Sequence, residues 1–165
     1  MQPFLDSTDF LQDGAELRRR MDRDGYLFIR GLLPAAVVEE LRMQILEIAR
    51  AAGWVQPDTP LADAVADLNG FCVEPEPEYM QKYHAMYKLP EFHAIQHHPN
   101  LTGLFERMFE EPVFPHPRII GRTIFPQREA FTTPPHQDFI PIQGTADTYT
   151  AWIPLGDLPT ELGGL

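Results

Sequence analysis

His136 and Asp138, within the run "TPPHQDF" at residues 133–139, are the side chains whose types and spacing best suit chemistry. In a β-strand, residues i and i+2 point to the same face. The two would then project together, with Gln137 turned away. One imidazole nitrogen and one carboxylate oxygen on a common face offer two adjacent corners of an octahedron. A third ligand from another strand would complete a 2-His-1-carboxylate facial triad, which holds Fe(II) and leaves positions open for other ligands. The triplet alone is a weak signal, since a random shuffle of this composition yields roughly 0.4 of them. A surface His and Asp at a strand end is the plain alternative.

The other donors are less directive. His93 and His97 stand four apart on a predicted helix and could chelate a metal. An exposed polar helix face is the simpler explanation, with His84 and His98 nearby. His116, flanked by Pro115 and Pro117, suits a turn or an edge as well as a strand interior. Cys72 is the single cysteine, and a lone thiol is more often a small buried apolar group than a nucleophile. There is no Gly-rich phosphate loop, no cysteine pair for zinc and no G-x-S-x-G elbow.

The elements that must position these residues divide near Pro112. Residues 14–24 predict a short helix that Gly25 ends. The run "YLFIRGLL" at 26–33 predicts an apolar strand. Pro34 then opens a long helix from its first position. Val37, Val38, Leu41, Ile45, Ile48, Ala49 and Ala52 fall on one stripe of that helix, and Gly53 ends it. Residues 57–78 predict a long connection. Two more helices are predicted at 78–88 and 101–111, the second with a stripe of Leu101, Leu104, Phe105, Met108 and Phe109. After Pro112 come four strand-like runs, at 113–120, 122–126, 136–142 and 148–155. Helices first and strands second predict a single α+β domain, with a mainly helical part at 1–111 and strands at 112–165.

Composition narrows the function. The 165 residues are enough for one domain with a real core, and 44% of them are hydrophobic. The net charge of −11 argues against nucleic acid, which demands clustered Lys and Arg. No apolar run approaches the roughly 18 residues that span a membrane. The first residues lack the basic and apolar regions of a signal peptide. One cysteine rules out an internal disulfide framework and suits a reducing compartment, so the expected location is cytoplasmic. The 17 prolines, many after Pro112, suit short strands and irregular turns better than helices.

"PPHQDF" followed by "TYTAWIPLGDLPTELGGL" resembles the phytanoyl-CoA dioxygenase family of Fe(II)/2-oxoglutarate-dependent oxygenases. The upstream run "DGYLFIRGLLPAAVVEELRMQI" is similar to the family's opening strand and helix. The resemblance implies N-terminal helices packed on a double-stranded β-helix, a cupin-like jelly-roll barrel of which only the first strands are present. It implies that His136 and Asp138 are iron ligands, and that the cofactors are Fe(II) and the co-substrate 2-oxoglutarate. Arg122, Thr150 and Trp152 become candidates for contacting the co-substrate or lining its pocket. A solvated Arg, a rim Thr and a core Trp are the plain alternatives. The implied reaction is hydroxylation of a small organic substrate with O2, since family members that halogenate lack the carboxylate that stands here at 138.

The resemblance also implies a third ligand, a His several tens of residues further on, followed by an Arg for the far carboxylate of 2-oxoglutarate. No His follows position 136, and no upstream His matches that ligand in topology. The expectation is therefore an N-terminal portion of such an enzyme, inactive by itself, whose unpaired strand edges invite self-association. Two alternatives stay open: a non-catalytic jelly-roll binding module with a vestigial HxD, and a cupin-like metalloenzyme that does not use 2-oxoglutarate.

Overall fold

A computed structural model describes residues 3–126, 136–145 and 147–158, with Pro141 described by its backbone alone. The chain folds as two compact units, Met1–Val38 with Pro90–Ile119, and Glu39–Leu89 with Ile120–Leu165.

The first unit is built on helices α1, Gly14–Asp24, and α5, Pro99–Phe109. Asp13 caps α1 by accepting from the Glu16 N–H at 2.9 Å. Gly25, with φ 77°, closes it as expected, donating its N–H to the Met21 carbonyl at 2.8 Å. The apolar stripes of α1 and α5 meet through Leu17, Leu104 and Met108, all buried. Two arginines tie down backbone carbonyls around this contact. Arg18 donates from Nε to the Met108 oxygen at 2.8 Å, and Arg107 donates from Nε to the Leu11 oxygen at 2.8 Å. Met108 lies in the last turn of α5, where carbonyls have no partner within the helix. A short helix α4, Pro90–Ala94, precedes a 3-10 turn, Ile95–His97.

In the second unit, helix α2, Ala35–Ala51, from Glu39 onward, and α3, Pro77–Met86, frame an aromatic core. Ala49, Trp54, Val55, Cys72, Tyr79 and Phe125 are buried together. Trp54 stacks on Tyr79 at 5.5 Å and meets Phe125 edge-on at 5.6 Å. The connection expected at 57–78 is ordered by a single antiparallel bridge, Val55 to Ala66, and by two 3-10 turns, Leu61–Asp63 and Leu68–Gly70. Arg50 Nη2 holds it by donating to the Thr59 carbonyl at 2.6 Å. Among the described residues no helix is long and apolar enough to cross a membrane.

The strands expected from the sequence are where the structure differs. Among the described residues there is no strand, only two isolated bridges. The α+β expectation is met in its helical half, and the jelly-roll barrel is not formed among these residues. In the run 26–33, Phe28 alone bridges, to Asp6. The next available N–H, on Arg30, goes to the Thr8 hydroxyl at 2.9 Å instead of a backbone carbonyl. Gly31, at φ 62°, then turns the chain away. The run 136–142 ends in a helical turn, α6, Phe139–Ile142. Pro141 has no N–H to give a sheet ladder, but in the first turn of a helix that N–H would lack a partner anyway. The run 122–126 keeps the expected alternation without a partner strand. Phe125 is 7% exposed and Ile124 is 67% exposed.

Candidate metal centre

Asp138 stands at the N-cap of α6 with helical angles, φ −61° and ψ −27°. Asp138 therefore opens a helical turn, with His136 two residues ahead of it in irregular chain, and the alternation of a strand does not bring them together. They converge nevertheless, with His136 Nε2 3.2 Å from Asp138 Oδ1. An Asp in this position ordinarily accepts a backbone N–H from the first turn of its helix. Asp138 makes no such bond. Its other oxygen, Oδ2, accepts from the Thr150 hydroxyl at 2.8 Å. Thr150 returns to Asp138 after a reversal at Gln143, φ 60°, and Gly144, φ 117°. A bond from the Thr148 hydroxyl to the Thr145 carbonyl at 2.8 Å braces that reversal. A non-glycine residue at positive φ is uncommon and is found where surrounding structure fixes it.

This geometry can be tested against a metal ion. Adjacent octahedral donors at the usual bond lengths of about 2.1 Å lie about 3.0 Å apart. The 3.2 Å separation of Nε2 and Oδ1 is close to that edge. It is also the distance of an ion pair. What sets the arrangement apart is the carboxylate turned from its own helix toward the imidazole. The side chains of His136 and Asp138 are 50% and 29% exposed, so small molecules can reach them. The pair fits two corners of a mononuclear site. No group of three or more His, Cys, Asp or Glu gathers among the described residues.

Residues 21–165 match the family model described as Phytanoyl-CoA dioxygenase (PhyH). The chain belongs to the phytanoyl-CoA dioxygenase family. The family fold is cupin-like. The chain is 31% identical over 171 residues to a 1-deoxypentalenic acid 11-beta-hydroxylase of Streptomyces exfoliatus, an alignment covering 99% of this chain and 55% of that protein. It is 32% identical over 165 residues to the protein of the same description from Streptomyces arenae, covering 97% and 54%. The chain thus spans about half the length of the curated relatives it matches. No solved structure matches it.

In this family member the remaining candidates are spread more widely. Arg122 is exposed on the run leading to Phe125, and its positive charge is felt by the Tyr79 hydroxyl. Burial has the larger effect on Tyr79 and pushes its pKa up. Trp152 is 49% exposed, not a core residue. His93 and His97 are not on one α-helix, because α4 ends at Ala94 and a 3-10 turn follows. They therefore do not share the regular α-helical face that a chelating i, i+4 pair requires. His98 caps α5, its Nδ1 accepting the Asn100 N–H at 3.2 Å. His116 holds a local turn by accepting the Arg118 N–H at 3.1 Å. Cys72 is buried, and that burial raises its thiol pKa, the reverse of what a nucleophile requires.

Two relationships had no signal in the sequence. One is the bond from Thr150 to Asp138. The other is a polar cleft of about 380 Å³ lined by Glu39, Arg42, Ala62, Asp63, Gly156 and Asp157. Arg42 spans it, donating to the Ala62 carbonyl at 2.6 Å beside Gly156. None of the residues lining the cleft is an expected site residue. A side chain at 156 would make the Arg42 guanidinium shift, but a contact 114 positions apart in the chain leaves no local pattern.

Proposed function

We propose that this protein is a non-haem Fe(II)/2-oxoglutarate-dependent oxygenase that hydroxylates a small organic substrate with O2, and that His136 and Asp138 are two of its iron ligands. The observation that carries the reading is the convergence of His136 Nε2 and Asp138 Oδ1 at 3.2 Å, in a chain whose residues 21–165 match the family. When bound, Fe(II) and 2-oxoglutarate would supply the electrons that let O2 react, one oxygen atom entering a substrate C–H bond and the other the succinate formed from 2-oxoglutarate. The protein's own residues bind and orient. His136 brings a neutral nitrogen donor and Asp138 one negative charge. One carboxylate on a divalent ion leaves net positive charge to hold an anionic co-substrate. Arg122 offers the planar fork that suits a carboxylate, and Trp152 is the other candidate for contact with the co-substrate, whereas Thr150 gives its one hydroxyl hydrogen to Asp138.

The reading includes a jelly-roll barrel as the finer form of the cupin-like family fold. The relatives are named for hydroxylating 1-deoxypentalenic acid. For this protein the proposal stops at a small organic molecule. The 165-residue chain by itself is expected to turn over no 2-oxoglutarate, because among the described residues His136 and Asp138 gather no third His, Cys, Asp or Glu to complete a facial triad. The test uses protein expressed from the complete gene, supplied with Fe(II), 2-oxoglutarate and air, with succinate as the readout. The expected result is iron-dependent succinate release that is lost in His136→Ala and in Asp138→Ala. Folded protein that releases none, or variants that release as much as the parent, would overturn the reading.

A further inference from the structure

Asp138 presents its two oxygens to two different partners. Oδ1 faces His136 Nε2 at 3.2 Å, while Oδ2 accepts the Thr150 hydroxyl at 2.8 Å. A carboxylate can hold a cation through one oxygen or through both. The second mode needs both oxygens turned to the ion, and Oδ2 is already engaged by a residue twelve positions along the chain. We propose that Thr150 is a positioning residue that restricts Asp138 to one-oxygen ligation beside His136 and keeps the neighbouring corner of the metal open. The proposal rests on His136 and Asp138 being metal ligands.

Three features point the same way. Asp138 makes no cap bond to α6, so its own helix does not fix the carboxylate's orientation. Thr150 supplies that restraint from outside. Thr is β-branched and restricted at χ1, so its hydroxyl is aimed with less rotational freedom than that of Ser. The hydroxyl has one hydrogen to give, and giving it to Asp138 leaves only its lone pairs for any other partner. Outer partners of ligating groups fix orientation, and their loss typically weakens metal binding about 10–100-fold.

The test uses protein from the complete gene and Co(II) as the probe, because the visible absorption of Co(II) reports its coordination number. The parent protein should bind Co(II) in a way that His136→Ala abolishes. Thr150→Val removes the hydroxyl at nearly constant shape from an exposed position. It should weaken Co(II) binding about 10–100-fold and alter the visible spectrum, with the thermal melt of the metal-free protein unchanged. Thr150→Ser should restore both affinity and spectrum, which a purely steric role for residue 150 would not predict. If Thr150→Val binds Co(II) with the parent's affinity and spectrum, the positioning role is wrong while the ligand reading stands. If the parent shows no binding that depends on His136, the ligand reading fails and the positioning role fails with it.

Discussion

The carbonyl oxygen of Arg107 occupies the space a side chain on Gly14 would need: a Cβ placed on Gly14 overlaps it. The first residue of α1 therefore touches the backbone of α5 directly. This closeness lets the apolar stripes around Leu17 and Met108 interdigitate. Gly14→Ala would gain up to about 1 kcal/mol of helix propensity in isolation. The overlap with fixed backbone should outweigh that gain and destabilise the protein by about 1–3 kcal/mol. Gly103→Ala is the control, because its Cβ would meet only the end of the Arg107 side chain, at 3.3 Å. Urea unfolding should place Gly14→Ala below the parent and Gly103→Ala level with it or above.

Neighbours on the run 120–126 should behave oppositely. Phe125 meets Trp54 and Phe71 in the aromatic core, whereas Ile124 points outward. Phe125→Ala should cost about 3–5 kcal/mol, and Ile124→Ala should stay within about 0.5 kcal/mol. Equal losses in urea unfolding would mean that Ile124 has a partner of its own.

The same pair marks how far the sequence was legible. Helix positions followed from apolar spacing and from Gly25 and Gly53 as stops, because a helix satisfies its hydrogen bonds within one segment. The alternation at 122–126 was legible too, since it depends only on which side is buried. Strands were not, because a strand needs a partner that no local pattern supplies. Arg30 gave its N–H to Thr8 instead. For the candidate metal centre, residue types pointed to His136 and Asp138, which do converge, though not through the alternation of a strand. Pro141 is tolerated in a helical turn there, and the side chains meet just ahead of that turn. Thr150 joined them through a chain reversal that residue types alone do not encode.

Acid should weaken the first unit through Glu16. Hydrogen bonds from Arg20 and then Arg19 hold its carboxyl below the ordinary value of 4.5. A carboxylate with a lowered native pKa stabilises fully above its unfolded value and loses that contribution as pH falls through the native one. The loss should therefore begin below about pH 4.5 and deepen from there. Thermal melts between pH 6 and pH 3 should fall less steeply for Glu16→Gln than for the parent.

Alkali should act through Tyr83. Burial raises its pKa above the ordinary 10.0, and the hydrogen bond between the Tyr83 and Tyr87 hydroxyls, at 2.6 Å, adds to the rise. The native state then keeps a proton that the unfolded chain releases. Its contribution is complete below about pH 10 and is lost as pH climbs from there through the raised native value. Tyr83→Phe should show a shallower loss of stability above pH 10, with tyrosinate absorbance in the parent delayed for Tyr83 and for Tyr79, whose burial also raises its pKa. A parent titrating as uniformly exposed tyrosines would contradict this.

The role of Asp138 can be separated from folding. Its carboxylate caps no helix N–H, is 29% exposed and bonds to one exposed hydroxyl. Asp138→Ala should therefore leave the metal-free protein within about 1 kcal/mol of the parent, since that bond and the partly exposed contact with His136 are each worth little in water. Metal should reveal the difference. An ion that binds only the folded state at a hundred times its dissociation constant adds about 2.7 kcal/mol. Mn(II) should raise the melting temperature of the parent from the complete gene and leave that of Asp138→Ala unmoved. A large drop for the variant without metal would make the carboxylate structural. An equal rise in both proteins would put the ion somewhere other than beside His136.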